Sequence, residues 1–469
     1  MSLYQDLAQQ TAKLIENGVL RTGDRLPSIR QACRSNDVSP ITVTQAYQVL
    51  ESRGLIEARP KSGYFVRGRL ARSLPEPTPT RPLGESTTLA VSDFIFQILD
   101  SVRDPGIVPL GSSFPSPHLF PLDRLGRFLA TAARQFDPLS TVTDLPPGNA
   151  ELRRQIALRY LNQGALVSPN EIIVTSGAME GLNLCLQAVT RPGDLIAVES
   201  PTFYAGLQAS ERLGLRVIEI PTHPRLGVDL DALDAALSRH PIKACLFMLN
   251  FANPTGSCVP DEHRQALLAI LRRHEVPLIE DDVYAELHFG PPPLCSKAAD
   301  SSGLVMHVSS FAKCLAPGYR LGWVAAGRYA EAIRRQKLAT SLGTAVPIQI
   351  AVAEYLKYGA YDKHLRRLRQ SLEAQLTSLI NAVEIHFPPG TRLARPSGGY
   401  FLWLELPAGV DSLRLHQDAL ARGISIAPGP IFSAQREFGH YLRLNFGHPD
   451  TPVQQAALAT LGQLIKAQC

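Results

Sequence analysis

The sequence predicts an α/β protein of two unlike parts, a small basic head and a large body built on a mostly parallel sheet. In the body, apolar runs of strand length alternate with helical patterns, as in sheets buried on both faces. The formal net charge of +5 lies in the head, because residues 1–72 hold eleven basic and six acidic side chains while the rest is balanced. Four prolines in residues 69–90 indicate an extended, semi-rigid linker. We therefore expect a head over 1–68 and a body over 91–469.

Several classes of protein are disfavoured by composition. The N-terminus lacks the basic and apolar regions of a signal peptide, and no run of eighteen apolar residues predicts a membrane span. The seven cysteines are scattered and form no CxxC pair, and the twelve histidines show no metal-ligand spacing. We therefore expect a cytoplasmic protein with reduced thiols, and no metal site.

The head is predicted to contain three helices and a hairpin. Apolar residues at helical spacing predict a first helix over residues 3–17. A second helix should begin near Ser28, and a third at Ser39, where a serine cap precedes a proline. Two short strands should surround residues 60–63. The stripe expected to be buried on the third helix is Val43, Ala46, Tyr47 and Leu50.

Three helices followed by a hairpin describe a winged helix-turn-helix. Short polar side chains at the start of the third helix could reach base edges in a major groove. The basic side chains suited to phosphate contacts are Arg25, Arg30, Arg59 and Lys61. The alternative is a small helical domain with an ordinary solvated charged face.

Residues 3–66 resemble the GntR-type winged helix along their whole length. The matching segments are GDRLPSIRQAC and VSPITVTQAYQVLESRGLIEARPKSGYFV. The resemblance implies binding to double-stranded DNA and favours that interpretation over the charged-face alternative. The residues expected to face DNA are Arg30, Ser39, Thr42, Thr44, Gln45, Lys61, Ser62 and Gly63.

The most informative segment of the body is SSFAKCLAPGYRLGW, residues 309–323. Its lysine, Lys313, follows an apolar strand and lies among small residues ahead of a Pro-Gly turn. In such a pocket an amine loses part of its basicity and can form a Schiff base. The alternative for an isolated lysine is a solvated surface charge, which is disfavoured here because three further strand ends carry related chemistry.

These strand ends follow in order along the chain. SGAMEGLNL (176–184) comes after a strand and opens a helix, where free N–H groups can bind phosphate. Asn253, in NPTG, can hydrogen-bond a ring hydroxyl, or it simply caps a turn. Asp281 ends another strand three residues before Tyr284, and its carboxylate can pair with a protonated pyridine nitrogen or cap a helix.

Together these segments resemble the fold-type I pyridoxal-phosphate enzymes, specifically the class I/II aminotransferases, from about residue 107 to 469. The resemblance implies a large lobe with a mostly parallel sheet, an α+β small lobe, and pyridoxal 5′-phosphate as cofactor. It gives catalytic roles to Lys313, as carrier of the internal aldimine, and to Asp281 and Tyr284. The implied cofactor-binding residues are Ser176, Gly177, Ala178, Phe203 (with Tyr204 as an alternative for ring stacking), Asn253, Asp281, Tyr284, Ser310, Lys313 and Arg320. Arg443, in YLRLNFG, is implied to bind the substrate carboxylate together with Asn253. A surface salt bridge is the alternative for Arg443.

Two positions depart from the aminotransferase pattern. Ala312 stands where serine commonly precedes the lysine, which removes one possible phosphate contact. Thr143 and Asp144 stand where a Tyr-Gly pair commonly reaches the partner subunit's phosphate. A contact to the cofactor across a dimer is therefore not predicted.

The order of head, linker and body resembles the MocR family of bacterial transcriptional regulators over essentially the whole chain. This resemblance implies a head-to-tail homodimer that binds operator DNA and an amino-acid or amine effector, through aldimine exchange at Lys313. One alternative is a catalytically active aminotransferase with an appended DNA-binding head. Another is a DNA-binding protein whose body is an inert scaffold.

Overall fold

A computed structural model describes residues 3–16, 19–20, 23–52, 55–59, 62–66, 74–82, 84–100 and 106–469. The elements of the head are α1 (Leu3–Glu16), α2 (Ile29–Asn36), α3 (Pro40–Ser52), β1 (Ile56–Arg59) and β2 (Gly63–Val66). Ser28 begins α2 with reciprocal bonds, since its Oγ accepts from Gln31 N and its N donates to Gln31 Oε1. Ser39 Oγ accepts from Thr42 N at the start of α3. Both predicted helix starts are confirmed.

The head has its own apolar core. Val43, Ala46, Tyr47 and Leu50 on α3 are at most 3% exposed, as the predicted stripe requires. They pack in one cluster with residues of α1, α2 and the hairpin. The strands β1 and β2 pair antiparallel from Ile56–Val66 to Arg59–Gly63. The three helices and the hairpin therefore form the predicted winged helix-turn-helix.

The segment between head and body is docked on the body. Residues 74–82 form neither helix nor strand, and β3 (Ser86–Thr88) then pairs antiparallel with the body strand β6 (Arg216–His223). Helix α4 (Ser92–Asp100) follows, and its start is held by Glu211, which accepts bonds from Val91 N and Ser92 N. The last residues of the expected linker are thus an edge strand of the main sheet.

The first part of the body forms the large lobe. Its helices are α5 (Leu122–Arg134), α6 (Ser140–Thr143), α7 (Ala150–Asn162), α8 (Ala178–Val189), α9 (Tyr204–Arg212), α10 (Leu230–Arg239), α11 (Asp261–His274), α12 (Ser296–Ala299) and α13 (Ala330–Thr340). Its further strands are β4 (Ile172–Thr175), β5 (Leu195–Ser200), β6 (Arg216–His223), β7 (Gly227–Val228), β8 (Ile242–Phe247), β9 (Leu278–Asp281), β10 (Val305–Ser310) and β11 (Gly322–Ala325). Their order in the sheet is β3-β6-β5-β8-β9-β10-β11-β4, with β7 attached to β6.

Five neighbouring strands of this sheet, β6, β5, β8, β9 and β10, run parallel, and β11 is antiparallel to β10. Every residue of β5, β9 and β10 is buried, which explains the apolar residues with which each strand begins. The carboxyl ends of parallel strands meet at one edge of a sheet, where ligands usually bind. The predicted mostly parallel sheet is confirmed.

The second part of the body forms the small lobe around a four-stranded antiparallel sheet. Its elements are α14 (Val346–Tyr358), α15 (Tyr361–His386), β12 (Arg392–Leu393), β13 (Phe401–Glu405), α16 (Ser412–Leu420), β14 (Ala427–Pro428), β15 (Tyr441–Asn445) and α17 (Pro452–Lys466). The strand order is β12-β13-β15-β14. Within the described part of the chain, no helix combines the length and apolar character needed to span a membrane.

Candidate functional site

A candidate phosphate site lies where β4 leads into α8. Gly177 has φ +91°, and a Cβ there would lie 2.7 Å from an Arg320 guanidinium nitrogen. Only glycine meets both requirements without strain. Ser310 lies at the end of β10, where its Oγ accepts from Ala312 N at 3.0 Å. The predicted residues Ser176, Gly177, Ala178 and Arg320 are thus neighbours at the start of α8, where the first N–H groups of a helix have no partner within it.

A largely buried ion pair, which no sequence pattern indicates, lies behind this turn. Glu180 Oε2 accepts from Ser176 N at 2.5 Å, and Lys337 Nζ donates to both Glu180 oxygens at 2.9 Å. Burial opposes ionisation of Glu180, but Ser341, Ser176 N and Lys337 together hold its pKa below the usual value. The pair anchors the turn. Glu180 lies inside the predicted segment, whereas Lys337 lies far along the chain on α13.

Asp281 lies at the end of β9 with its carboxylate buried. Its Oδ1 has no hydrogen-bond partner. Burial raises its pKa to about 7, partly opposed by the charge of Lys313. A buried carboxylate oxygen without a partner is costly and indicates a group that the site is built to receive.

Asn253 also has a buried side-chain atom without a hydrogen-bond partner. Its Oδ1 accepts from Arg443 Nη1 at 2.9 Å, while its Nδ2 has no partner. The side chain is therefore oriented by Arg443, with its two donor hydrogens unused. Tyr284 is buried, and its ring lies 5.3 Å from that of Tyr400 in an edge arrangement. Burial raises the pKa of Tyr284, so its hydroxyl stays protonated.

Lys313 lies between these groups. Its Nζ donates to Ser113 O at 2.9 Å and lies 4.1 Å from the centre of the Phe114 ring. Desolvation lowers the pKa of Lys313 to about 7, with Arg443 adding to the effect and Asp281 opposing it. The amine is therefore partly neutral at physiological pH, as a nucleophile requires.

Arg443 lies on β15 and is fully buried, which contradicts the surface salt bridge considered as an alternative. Its Nη2 donates to Gly111 O at 2.6 Å and to Ser112 O at 3.2 Å. The carbonyls of residues 111–113 thus bind two cationic groups of the site, Arg443 and Lys313. This segment carries no charged or catalytic residue type, so the sequence offered no signal for it.

The two aromatic residues predicted for ring stacking, Phe203 and Tyr204, belong to the same cleft. Phe203 begins α9 half-buried, with its ring 4.8 Å from that of Tyr204. The Tyr204 hydroxyl lies 2.6 Å from Ser113 Oγ. Because the Tyr204 hydroxyl contacts Ser113 Oγ, Phe203 is the better placed of the two rings for stacking on a ligand.

Two regions stand apart from this cleft. Asp144 Oδ2 accepts from Asn149 Nδ2 at 2.9 Å and so orients Asn149, whose side chain caps the start of α7. Behind Asp281, a buried network brings Glu280, Asp282 and His307 within ligand distance of one another. Arg264 Nη1 donates to Glu280 Oε1 and His307 Nε2 lies 2.8 Å from Asp282 Oδ2, while Glu280 Oε2 has no hydrogen-bond partner.

The head presents a second candidate site, a nucleic-acid interface. Ser39, Thr42 and Thr44 share the start of α3, where Ser39 Oγ lies 2.9 Å from Thr42 Oγ1 and Thr44 Oγ1 donates to Pro40 O. The exposed predicted residues are Arg30, Ser39, Gln45, Ser62 and Gly63. Lys61 lies outside the described residues. A Cβ on Gly63 would lie 3.4 Å from Arg25 Nε, so Arg25 borders the hairpin tip.

Comparison with known proteins matches both parts of the chain. The family described as aminotransferase class I and II matches residues 129–459, and the bacterial regulatory proteins of the gntR family match residues 3–66. The uncharacterized HTH-type transcriptional regulators YdcR and YjiR of Escherichia coli K12 are 44% and 38% identical, each over 99% of both chains.

A solved structure supports the fold of the body. The kynurenine aminotransferase of Pyrococcus horikoshii, solved with PMP, has a TM-score of 0.74 and 28% identity, over 80% of this chain and 94% of its own. This fold and cofactor-bearing neighbour imply a pyridoxal-phosphate site in the body. The chain belongs to the class I and II aminotransferase family and, through its gntR-family head, to the MocR-type HTH transcriptional regulators.

Proposed function

We propose that the protein is a DNA-binding transcriptional regulator whose body binds pyridoxal 5′-phosphate and an amino-acid or amine effector at Lys313. The observation that carries the proposal is the pair of unpartnered buried atoms, Asn253 Nδ2 and Asp281 Oδ1, in one cleft with Lys313. A donor for a ring hydroxyl and an acceptor for a ring nitrogen fit the pyridoxal ring.

Each predicted residue has a role in holding the cofactor. Asp281 would accept from the ring nitrogen, Asn253 and Tyr284 would bind the ring hydroxyl, and Phe203 would stack on the ring. The phosphate would be held by Ser176, Gly177, Ala178, Ser310 and Arg320. When bound, pyridoxal phosphate supplies an aldehyde that condenses with amines and a ring that withdraws electrons.

The protein's own residues would then act on the effector. Lys313 Nζ, partly neutral near pH 7, is the amine that an effector amine would replace, and it can accept a proton once released. Arg443 would bind a carboxylate with its guanidinium fork. To do so, its Nη2 must leave the carbonyls of Gly111 and Ser112.

We assign DNA binding to the winged helix over residues 1–68, joined through 69–90 to the body at 91–469. Thr42, Thr44 and Gln45 would read bases from α3, and Arg30, Ser39, Lys61, Ser62 and Gly63 would contact the backbone. A DNA-binding role and seven free cysteines support a cytoplasmic location. We further propose a head-to-tail homodimer, because regulators of this kind bind paired half-sites.

A working aminotransferase is the second candidate function. The observation that favours it is the completeness of the residue set, together with a Lys313 amine whose pKa lies near 7 and suits proton transfer. This candidate requires repeated turnover, whereas a sensor needs only one exchange at Lys313.

Both candidates are tested on one preparation. The protein is footprinted on its own upstream DNA with and without pyridoxal phosphate and single amino acids, while absorbance and keto-acid formation are followed. We expect specific protection that shifts with ligand, and an absorbance near the visible range that is lost in Lys313→Ala. Steady keto-acid formation without specific protection of the DNA would overturn the proposal of a regulator. Protection that shifts with ligand, without turnover, would overturn the proposal of a working aminotransferase.

A further inference from the structure

Residues 75–80, here called the strap, are bound to the small lobe at two points. Leu393 N donates to Pro75 O at 2.9 Å. Thr78 N and Thr78 Oγ1 donate to the two carboxylate oxygens of Glu405, at 2.7 and 3.2 Å. Arg392 Nη1 also donates to Thr78 Oγ1, at 3.1 Å. The strap therefore follows the edge of the small-lobe sheet where β12 and β13 lie.

Two other residues of the strap, Glu76 and Thr80, are bound to the large lobe. Glu76 forms an ion pair with Arg225. Thr80 N donates to Thr222 O at 3.0 Å, and Thr222 N donates to Thr80 Oγ1 at 2.7 Å. Thr80 Oγ1 also donates to Ser200 O at 2.7 Å. Contacts along the strap thus alternate between the lobes, so a change in the angle between them must break some bonds or displace the strap.

The anchor points lie on the elements that hold the candidate site. Ser200 ends β5 three residues before Phe203. Glu405 ends β13, the strand that pairs Trp403 with Arg443 on β15. A ligand that draws Arg443 toward the large lobe would therefore move one set of strap anchors relative to the other.

Along the described part of the chain, the strap follows the head as the first segment hydrogen-bonded to the body. Val66 ends the head hairpin, and only eight residues separate it from Pro75. A chain of that length spans at most about 30 Å, so a displaced strap changes the positions open to the head.

We propose that the strap couples ligand binding in the cleft to DNA binding by the head. This proposal rests on the proposed function, since it requires a ligand in the cleft and DNA on the head. The strap would favour one arrangement of the lobes in the free protein and another in the loaded one, and the coupling is the difference between them.

The test is the double variant Thr78→Val/Thr80→Val, which keeps side-chain shape and removes both hydroxyl anchors. A matched control is Thr340→Val/Thr460→Val, because each of those hydroxyls bonds the carbonyl four residues earlier on a body helix. Affinity for the upstream DNA is measured without ligand, with pyridoxal phosphate, and with pyridoxal phosphate plus single amino acids. In the parent and the control, we expect the largest ligand effect to be about fivefold or more.

In Thr78→Val/Thr80→Val we expect that effect to fall below about twofold, with affinity for pyridoxal phosphate kept within about twofold. Glu405→Gln, which leaves the Thr80 anchor intact, should give an intermediate effect and guards against a folding defect. The proposed coupling role of the strap would be overturned by an unchanged ligand effect on DNA affinity in the double variant. It would also be overturned if the parent binds both DNA and cofactor but shows no ligand effect on DNA affinity. A parent that binds neither cofactor nor DNA contradicts instead the proposed function.

Discussion

Arg443 Nη1 donates a hydrogen bond of 2.9 Å to Asn253 Oδ1, which joins the two lobes across the cleft. The other terminal guanidinium nitrogen, Nη2, donates to the carbonyls of Gly111 and Ser112. Asn253 therefore orients the arginine while those carbonyls occupy the side of the fork where a ligand carboxylate would bind. Carboxylate binding must exchange neutral acceptors for a charged one, which favours the ligand.

This arrangement predicts that Arg443→Lys discriminates between amino acids and amines. Lysine keeps the charge but loses the two-pronged donor, so affinity for an amino acid should fall about 10- to 100-fold, the size of a lost charged hydrogen bond. Affinity for the matching amine without the carboxylate should change by less than about threefold. Spectral titration of the loaded protein measures both. Equal losses for the two ligands would show that Arg443 does not bind the carboxylate.

The amine of Lys313 provides a prediction about pH. Its pKa is lowered to about 7, and only the neutral amine attacks an aldehyde, so the rate of pyridoxal phosphate attachment should rise with a midpoint at about pH 7 and level off above about pH 8. Stopped-flow absorbance measures the rate. A rate that keeps rising to pH 10 would indicate an ordinary lysine.

Asp281→Asn tests whether the midpoint of the rate profile reports the pKa of Lys313. The charge of Asp281 raises the pKa of Lys313, so its removal should move the midpoint of the rate profile to lower pH. The same change should stabilise the cofactor-free protein above pH 7. Folding raises the pKa of Asp281 to about 7. The free energy of unfolding that this carboxyl contributes therefore falls as pH rises from the pKa of the unfolded chain toward 7. Thermal unfolding at pH 5 and pH 8 measures this, with the larger gain expected at pH 8.

Much of the fold was predictable because local and global signals agree. Ser28 and Ser39 are followed by the partners that complete their caps, and the buried strands begin with apolar residues. The site residues at strand ends were predictable for a related reason: parallel strands bring their carboxyl ends together whatever the loops between them. The Lys313 neighbourhood is therefore largely visible in the sequence.

What the sequence did not reveal are contacts made by backbone groups or between distant elements. Ser113 binds Lys313 through a carbonyl, which every residue possesses. Lys337 meets Glu180 only because α13 packs beside α8. The prolines near Thr78 and Thr80 indicate extended chain, but the docking of that chain depends on acceptors more than a hundred residues away.

Gly177→Ala should weaken binding of pyridoxal phosphate. The new Cβ would lie 2.7 Å from Arg320, which must move away from the phosphate site. Gly193→Ala is a matched control, because Gly193 has φ +90° with no atom within 4 Å of the Cβ position. Both variants carry the backbone strain of alanine at positive φ, about 1 kcal/mol or more. We expect reduced affinity for pyridoxal phosphate only in Gly177→Ala. Equal affinities of the two variants would show that Arg320 does not bind the phosphate.

The head is expected to separate phosphate contacts from base contacts. Lys61 stands in sequence between the two strands of the hairpin, and Lys61→Ala should weaken binding to all DNA and reduce the slope of log affinity against log salt by about one unit. Gln45 is exposed on α3, and Gln45→Ala should leave that slope unchanged while reducing the preference for the upstream sequence over unrelated DNA by about 1–3 kcal/mol. Titrations at several salt concentrations on both DNAs measure the two effects. If Lys61→Ala keeps the parent's slope, the hairpin does not contact phosphate. If Gln45→Ala keeps the parent's preference, α3 reads the operator through other side chains, with Thr42 and Thr44 the next to test.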